Sequence, residues 1–121
     1  MAFDKKKFVA RFAAEAKDHI AILNDGFLKL ENNPDDMELL NLAFRSAHTI
    51  KGSSRVLSLN EISSLAHKLE DTLDALRQKK IAPSKQLFNL LFKSVDMLGS
   101  IIDKVQAGEA ITIDTSKLCE D

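Results

Sequence analysis

The sequence predicts an all-α chain, folded as an up-and-down antiparallel four-helix bundle with room for a short extra C-terminal helix. Three observations carry that expectation. The composition is 45% hydrophobic and 29% charged with only 4 Gly and 2 Pro, which suits neither a disordered chain nor a turn-rich all-β domain. Four stretches place apolar residues at alternating steps of three and four, the spacing of one packed helical face. Short clusters of Asn, Pro, Ser and Lys separate those stretches at regular intervals. At 121 residues the chain, 1–121, reads as a single domain, long enough to bury a core and too short for a multidomain enzyme.

The first helix is expected from about Lys5 to Glu31, with Val9, Ala13, Ala16, Ile20, Leu23, Phe27 and Leu30 facing inward. It should stop at Asn32-Asn33-Pro34, because proline disfavours helical geometry in the residue before it. Asn33 is then expected to cap a second helix, with Pro34 in its first position and Asp35 and Asp36 at the positive end of its dipole. The stripe of that helix is Leu40, Ala43, Phe44, Ala47 and Ile50, fraying between Arg55 and Leu57. Ser58 and Glu61 have the spacing of a capping box opening a third helix, whose stripe is Ile62, Leu65, Ala66, Leu69, Leu73 and Leu76 and whose end falls near Lys79-Lys80. Pro83-Ser84 restarts the chain into a fourth helix with Leu87, Leu90, Leu91, Val95, Leu98, Ile101, Ile102 and Val105 inward and Gly108 as its terminator. Beyond it, Ile111 and Ile113 are expected either to pack on the bundle or to belong to a tail, with Asp114 able to cap a last turn.

Charge and cysteine usage exclude several functions. Seventeen basic and 18 acidic side chains give a net charge of −1, without the positive excess that nucleic acid demands. The single cysteine, Cys119, cannot close a disulfide within the chain, which suits a reducing compartment. No secretory leader opens the sequence, and no run of roughly 18 apolar residues would span a membrane. The expected setting is cytoplasmic, with no membrane partner and a monomeric isolated domain. Lys5-Lys6-Lys7 reads as a solvated first turn able to steer an acidic partner, and the Phe residues at helical spacing read as core.

Function must therefore sit on helix surfaces, and the histidines are the residues to weigh. At about 100° per residue, His48 lies roughly 120° from the centre of its helix's apolar stripe, with Lys51 between it and the core. It should face water. Gly52, one turn on, costs a helix interior about 1 kcal/mol relative to alanine, and no bend or cap explains it. What it provides is open space beside the imidazole. On the third helix, His67 and Glu70 are three apart on the flank of the Leu stripe, with Ser63 and Asp74 on the same side. In an antiparallel pair a flank residue of one helix can meet a flank residue of the next. Glu70 reaching Nδ1–H of His48 would leave Nε2 unprotonated, outward and nucleophilic, while Lys51 would supply positive charge to an incoming phosphoryl group. The arrangement reads as a phosphate-accepting histidine. The plainer reading is that an exposed His beside a Lys is a solvated face, that His67 and Glu70 are a surface polar pair, and that His19 is an ordinary interface or surface residue. A metal site fits poorly, because bundle metal sites use inward Glu-x-x-His pairs on two helices, and this chain has one His67-x-x-Glu70 on a flank.

Phe44-Arg45-Ser46-Ala47-His48-Thr49-Ile50-Lys51-Gly52-Ser53, followed by Leu65-Ala66-His67-Lys68-Leu69-Glu70-Asp71-Thr72-Leu73-Asp74, resembles the histidine phosphotransfer domain of chemotaxis-type (CheA-type) histidine kinases. The similarity in helix pattern runs from Lys5 to about Gly108. The resemblance implies a helical bundle whose exposed histidine, here His48, takes the γ-phosphoryl group of ATP from a separate catalytic domain and passes it to an aspartate on a response regulator receiver domain. It also implies a polar network of Lys51, His67 and Glu70 around the phosphorylated ring, with Gly52 clearing access. Arg55-Val56-Leu57-Ser58 lacks the glycine often found before the third helix, and Lys79-Lys80 replaces one often found after it.

The chain has no G-x-x-x-x-G-K-[ST] loop and no carboxylate cluster for Mg2+, so it is expected to bind no cofactor. ATP and Mg2+ would come from partner domains, and the chain would have no kinase activity of its own. The reading from a different class is a non-catalytic helical docking or dimerisation module using the second and third helices.

Overall fold

A computed structural model describes residues 5–107, and they form four helices: α1 (Lys5–Asn32), α2 (Met37–Val56), α3 (Asn60–Arg77) and α4 (Lys85–Gln106). Each packs against its neighbour in sequence, and α4 closes on α1, so the helices run up and down around one core without diagonal crossings. No strand occurs among the described residues, and none of their helices is long and apolar enough to cross a membrane. Gly108, Ile111, Ile113, Asp114 and Cys119, to which the sequence assigned a terminator, packing or capping residues and a lone thiol, lie outside the described residues.

The core follows the stripes. Val9, Ala13, Ala16, Leu23, Phe27 and Leu30 of α1 are buried as expected, as are Leu40, Ala43, Ala47 and Ile50 of α2. Ile62, Ala66, Leu69, Leu73 and Leu76 of α3 join them with Leu91, Val95, Leu98, Ile102 and Val105 of α4. Ile20, Leu65, Leu87 and Ile101 are partly buried against that cluster. One stripe residue faces outward. Leu90 is 59% exposed while Phe88 is buried, because on a helix turning about 100° per residue Phe88 lies nearer the centre of the stripe than Leu90 does. Phe44 is half-buried against the core, and Phe8 is exposed, so not every Phe is core.

The joints depart from expectation in instructive ways. Asn33 does not cap α2: Asp36 N–H donates to Asn33 O at 3.1 Å, closing a β-turn with Pro34 in its second position, where its fixed φ belongs. Asp36 is the cap instead, its carboxylate accepting Leu39 N–H at 3.2 Å, and the acid of the first turn is Glu38. Ser58 and Glu61 form no capping box, since Leu59 stands at the cap of α3 without a side-chain bond. Ser58 is committed to ending α2. It sits at φ 61°, donating its N–H to Arg55 O at 3.0 Å while Leu59 N–H reaches Ser54 O at 2.8 Å, the paired bonds of a Schellman motif. The end of α3 repeats this at Lys79, φ 59°, with Lys79 N–H to Leu76 O at 3.1 Å and Lys80 N–H to Ala75 O at 2.9 Å. The helix therefore stops at Arg77, short of Lys79-Lys80. Both left-handed positions are those where the sequence lacks an expected glycine. Ser84 caps α4 by accepting Leu87 N–H at 3.1 Å, as the sequence indicated.

Candidate functional site

The site lies on the seam between α2 and α3, which pack more closely than any other pair. Two pairs fix their register: His48 meets Glu70, and Asn41 meets Arg77, seven residues back along α2 and seven forward along α3. That step is two turns in opposite directions, as antiparallel helices require. His48 is on the outward flank of α2 with its side chain 61% exposed, while Glu70, on the facing flank of α3, is buried to 8%.

A buried carboxylate needs partners, and Glu70 has one on each oxygen. Lys51 Nζ donates to Oε1 at 2.6 Å, and His48 Nδ1 bonds to Oε2. Burial alone would push the Glu70 carboxyl up; the bonds and charge of Lys51 and His48 act against it, and the result lies below the ordinary carboxylate value. Glu70 is therefore an anion at neutral pH. An anion can only accept, so His48 carries a proton on Nδ1, and in the neutral ring Nε2 presents its lone pair with no partner among the described residues. The tautomer follows from the bonding pattern.

Lys51 is anchored at 2.6 Å from Glu70 with its side chain 16% exposed, so its charge sits one turn from the ring, between His48 and the core. Gly52 is exposed, and a Cβ built there meets nothing within 4 Å, which leaves an open approach one turn from His48. The structure thus brings together His48, Lys51, Glu70 and Gly52. His67 is half exposed on the same flank of α3, its Nε2 3.4 Å from Asp71 Oδ2, and it makes no hydrogen bond to His48. His67, Glu70 and Asp71 offer ligand atoms within 4.8 Å of one another, but both oxygens of Glu70 are already engaged by Lys51 and His48. His19 is half-buried on α1, its Nδ1 buried without a hydrogen bond, beside Thr49 and Ser53.

Two residues around the site escaped the sequence reading. Phe44 stacks on His48, with ring centroids 6.2 Å apart and planes 12° from parallel. Arg77 places its guanidinium 3.9 Å from the centre of the Phe44 ring. The spacing of Phe44 and His48 by four was visible, but the apolar stripe offered a simpler place for the phenyl ring.

What this arrangement can do is present one imidazole nitrogen, unprotonated and accessible, with a buried anion behind the ring and a cation beside it. Comparison with known proteins identifies the family. The Hpt domain family matches residues 7–108. The chemotaxis protein CheA of Listeria monocytogenes is 34% identical over 110 residues, covering 91% of this chain but 18% of that protein, so the chain spans under a fifth of that relative. The CheA phosphotransferase domain from Thermotoga maritima superposes with a TM-score of 0.78 at 38% identity, covering 83% of this chain and 95% of that one. The phosphorylated P1 domain of CheA3 in complex with CheY6 from R. sphaeroides gives 0.77 at 25% identity, covering 85% and 80%. Fold, seam and family match agree, and the chain belongs to the Hpt family, as a histidine phosphotransfer domain of the CheA type.

Proposed function

We propose that His48 is the phosphoryl acceptor of this domain, taking the γ-phosphoryl group of ATP from a separate kinase catalytic domain and passing it to an aspartate on a response regulator receiver domain. The observation that carries the reading is the Nδ1 contact to buried, doubly bonded Glu70, which leaves Nε2 of an exposed ring free to react. In the first transfer the Nε2 lone pair attacks the γ-phosphorus, the N–P bond forms, and the bond to the bridging oxygen breaks with its electron pair leaving on ADP. The ring becomes positive while Nδ1 keeps its proton, and the Glu70 carboxylate stabilises that charge. Lys51 offsets the phosphoryl charge as it arrives. In the second transfer an aspartate carboxylate attacks phosphorus, the N–P bond breaks, and the lone pair returns to Nε2. The nucleotide and its Mg2+ are held by the kinase domain and the metal of the regulator by the regulator, so this chain supplies the nucleophile and its positioning. That a phosphorylated P1 domain is found in complex with CheY6 supports a partner of that kind for the second step.

The test is labelling in trans. With a CheA-type kinase domain, ATP and Mg2+, the wild-type chain should take up a label lost in acid and stable in base, and His48→Gln should take up none while melting within about 0.5 kcal/mol of wild type. Without the kinase domain, the chain should neither bind ATP in calorimetry nor label itself. Label persisting in His48→Gln, or efficient self-labelling, would refute the reading. A docking module without chemistry predicts no label in either arm.

A further inference from the structure

A single hydrogen bond fixes one atom of a ring and leaves the ring free to rock about it. His48 is held by Glu70 at Nδ1 alone, on a side chain that is 61% exposed, so that contact does not by itself aim Nε2. The second constraint comes from Phe44. It lies one turn before His48 on α2 and presents its ring nearly parallel to the imidazole, 12° between planes and 6.2 Å between centroids, within the range of offset stacking.

Phe44 is in turn fixed. The Arg77 guanidinium stands 3.9 Å from its ring centre, in cation–π geometry, and that guanidinium is anchored twice: to Asp74 Oδ1 at 2.6 Å and to Asn41 Oδ1 at 3.0 Å. Asp74 also accepts Gln78 Nε2 at 2.9 Å. A chain of contacts therefore runs along the α2/α3 seam from the end of α3 to the imidazole, ending on the face of the ring that Glu70 holds only by its edge. Core packing accounts for only part of the placement of Phe44: it is half-buried against the core, Ala43 and Ala47 take the fully buried positions of the stripe, and the rest of the ring lies along the imidazole.

We infer that Phe44, clamped by Arg77, is a positioning residue that holds the His48 ring in the plane from which Nε2 reacts. The inference rests on His48 being the phosphoryl acceptor. Its test therefore reads the ring itself as well as the transfer. In 15N-labelled protein at neutral pH, the His48 ring nitrogens should show the Nδ1–H form in wild type and in Phe44→Tyr. In Phe44→Leu the ring should keep that form but reorient more freely, read as faster relaxation of its ring nitrogens, and in Arg77→Gln it should go part of the way. With a CheA-type kinase domain at saturation, Phe44→Leu should slow phosphorylation by about two- to tenfold, the span that an aromatic pair energy represents. Its KM should not change, and Phe44→Tyr should restore the rate. Melting curves confirm that each variant is folded when it is read. Wild-type ring-nitrogen relaxation together with a wild-type rate in Phe44→Leu would overturn the inference, and so would a Tyr variant no better than Leu. A wild-type chain that accepts no label would fell the phosphoacceptor reading instead, and the nitrogen relaxation would still decide whether Phe44 orders the ring.

Discussion

The two seams that flank the bundle use charge in opposite ways. Between α1 and α4, Lys17 meets Asp103 at 3.2 Å with side chains 48% and 66% exposed, and below that surface the helices are joined by apolar packing such as the edge-to-face contact of Phe27 and Phe92 at 5.8 Å. Between α2 and α3, the carboxylate of Glu70 is drawn under the surface, and the exposed imidazole and the partly buried ammonium are arranged on it. The first seam separates stability from charge; the second makes the charge part of the packing. Water screens a pair like Lys17–Asp103 and lets it come and go. Glu70 has no such freedom, and it stays engaged by Nδ1 of His48 and by Lys51.

The comparison breaks most readily at Glu70. Replacing it with Gln keeps the shape but removes the anion, leaving Lys51 short of its counter-charge and His48 without a fixed acceptor. The expected cost is about 2 kcal/mol of stability, read by denaturant melts, because a group mostly removed from water loses its charged partner. Labelling in trans should slow by about ten- to a hundredfold for lost orientation and charge, and Lys51→Ala should slow it less. A Glu70→Gln protein of wild-type stability and rate would make the α2/α3 seam no different from its counterpart.

The same pair of proteins carries a pH signature. The Glu70 carboxyl is held below its ordinary value of 4.5: burial raises it, but the hydrogen bonds and charge of Lys51 and His48 outweigh burial. A carboxyl depressed in the folded state stabilises the fold above the value it has unfolded and loses that contribution as pH falls through its folded value. The stability gap between wild type and Glu70→Gln should thus be full at neutral pH and shrink as pH drops through and below 4.5. Melting both proteins across an acid series measures it. A gap that widens on acidification would reverse the assigned sign.

How much of this was legible in the sequence divides along the same line. The helices were, because a stripe such as Ile62, Leu69, Leu73 and Leu76 repeats often enough to average out local ambiguity. The meeting of His48 and Glu70 was legible too, since short joints make α2 and α3 antiparallel neighbours whose flanks can meet, whereas the bond of Lys51 to Glu70 was not, because the spacing put Lys51 only toward an incoming phosphoryl group. That Glu70 is buried was not, because a flank position is compatible with either exposure. The caps failed for a related reason. Asn33 and Asp36 are both good capping residues three apart, and only the β-turn through Pro34 chooses between them. Ser58 had a plausible role on each side of its joint, and the left-handed backbone that ends α2 took it. Arg77 over Phe44 depends on two side-chain anchors from different helices, which no spacing rule encodes.

Access can be separated from stability at Gly52. Open space surrounds the position, so alanine should fit and stabilise α2 by up to about 1 kcal/mol through helix propensity. Gly52→Gln should instead lower transfer to and from His48 by about tenfold or more, by obstructing the approach a docking partner needs, with melting unchanged or raised. Unaltered transfer in Gly52→Gln would show that the glycine is incidental to the site.

The backbone of the functional seam carries a strain that its side chains do not. Ser58 and Lys79 end α2 and α3 in left-handed geometry, where a side chain costs roughly 1 kcal/mol that glycine avoids. Part of that gain is returned because glycine makes the unfolded chain more flexible. Ser58→Gly and Lys79→Gly should each stabilise the domain by about 0.5 kcal/mol and leave labelling unchanged, since neither side chain touches the site. Loss of stability in both would mean that Ser58 and Lys79 side chains contribute more than their backbones lose.

The smallest effect is expected on the opposite seam, and it sharpens the contrast most. Asp103→Ala removes the exposed partner of Lys17, whose ammonium also bonds to Gln106 Oε1 at 2.5 Å. Both charged groups stay in water with or without each other, so no buried charge is stranded, and exposed pairs are worth about 0–1 kcal/mol. The loss should be under about 0.5 kcal/mol at low salt and should vanish as added salt screens the pair. The Glu70→Gln loss should keep most of its size in the same titration, because burial shields the Glu70–Lys51 pair from the added ions. Measuring both variants in one salt series tests the contrast directly. Equal salt sensitivity would mean that Glu70 is solvated like Asp103, and that its grip on His48 comes from position alone.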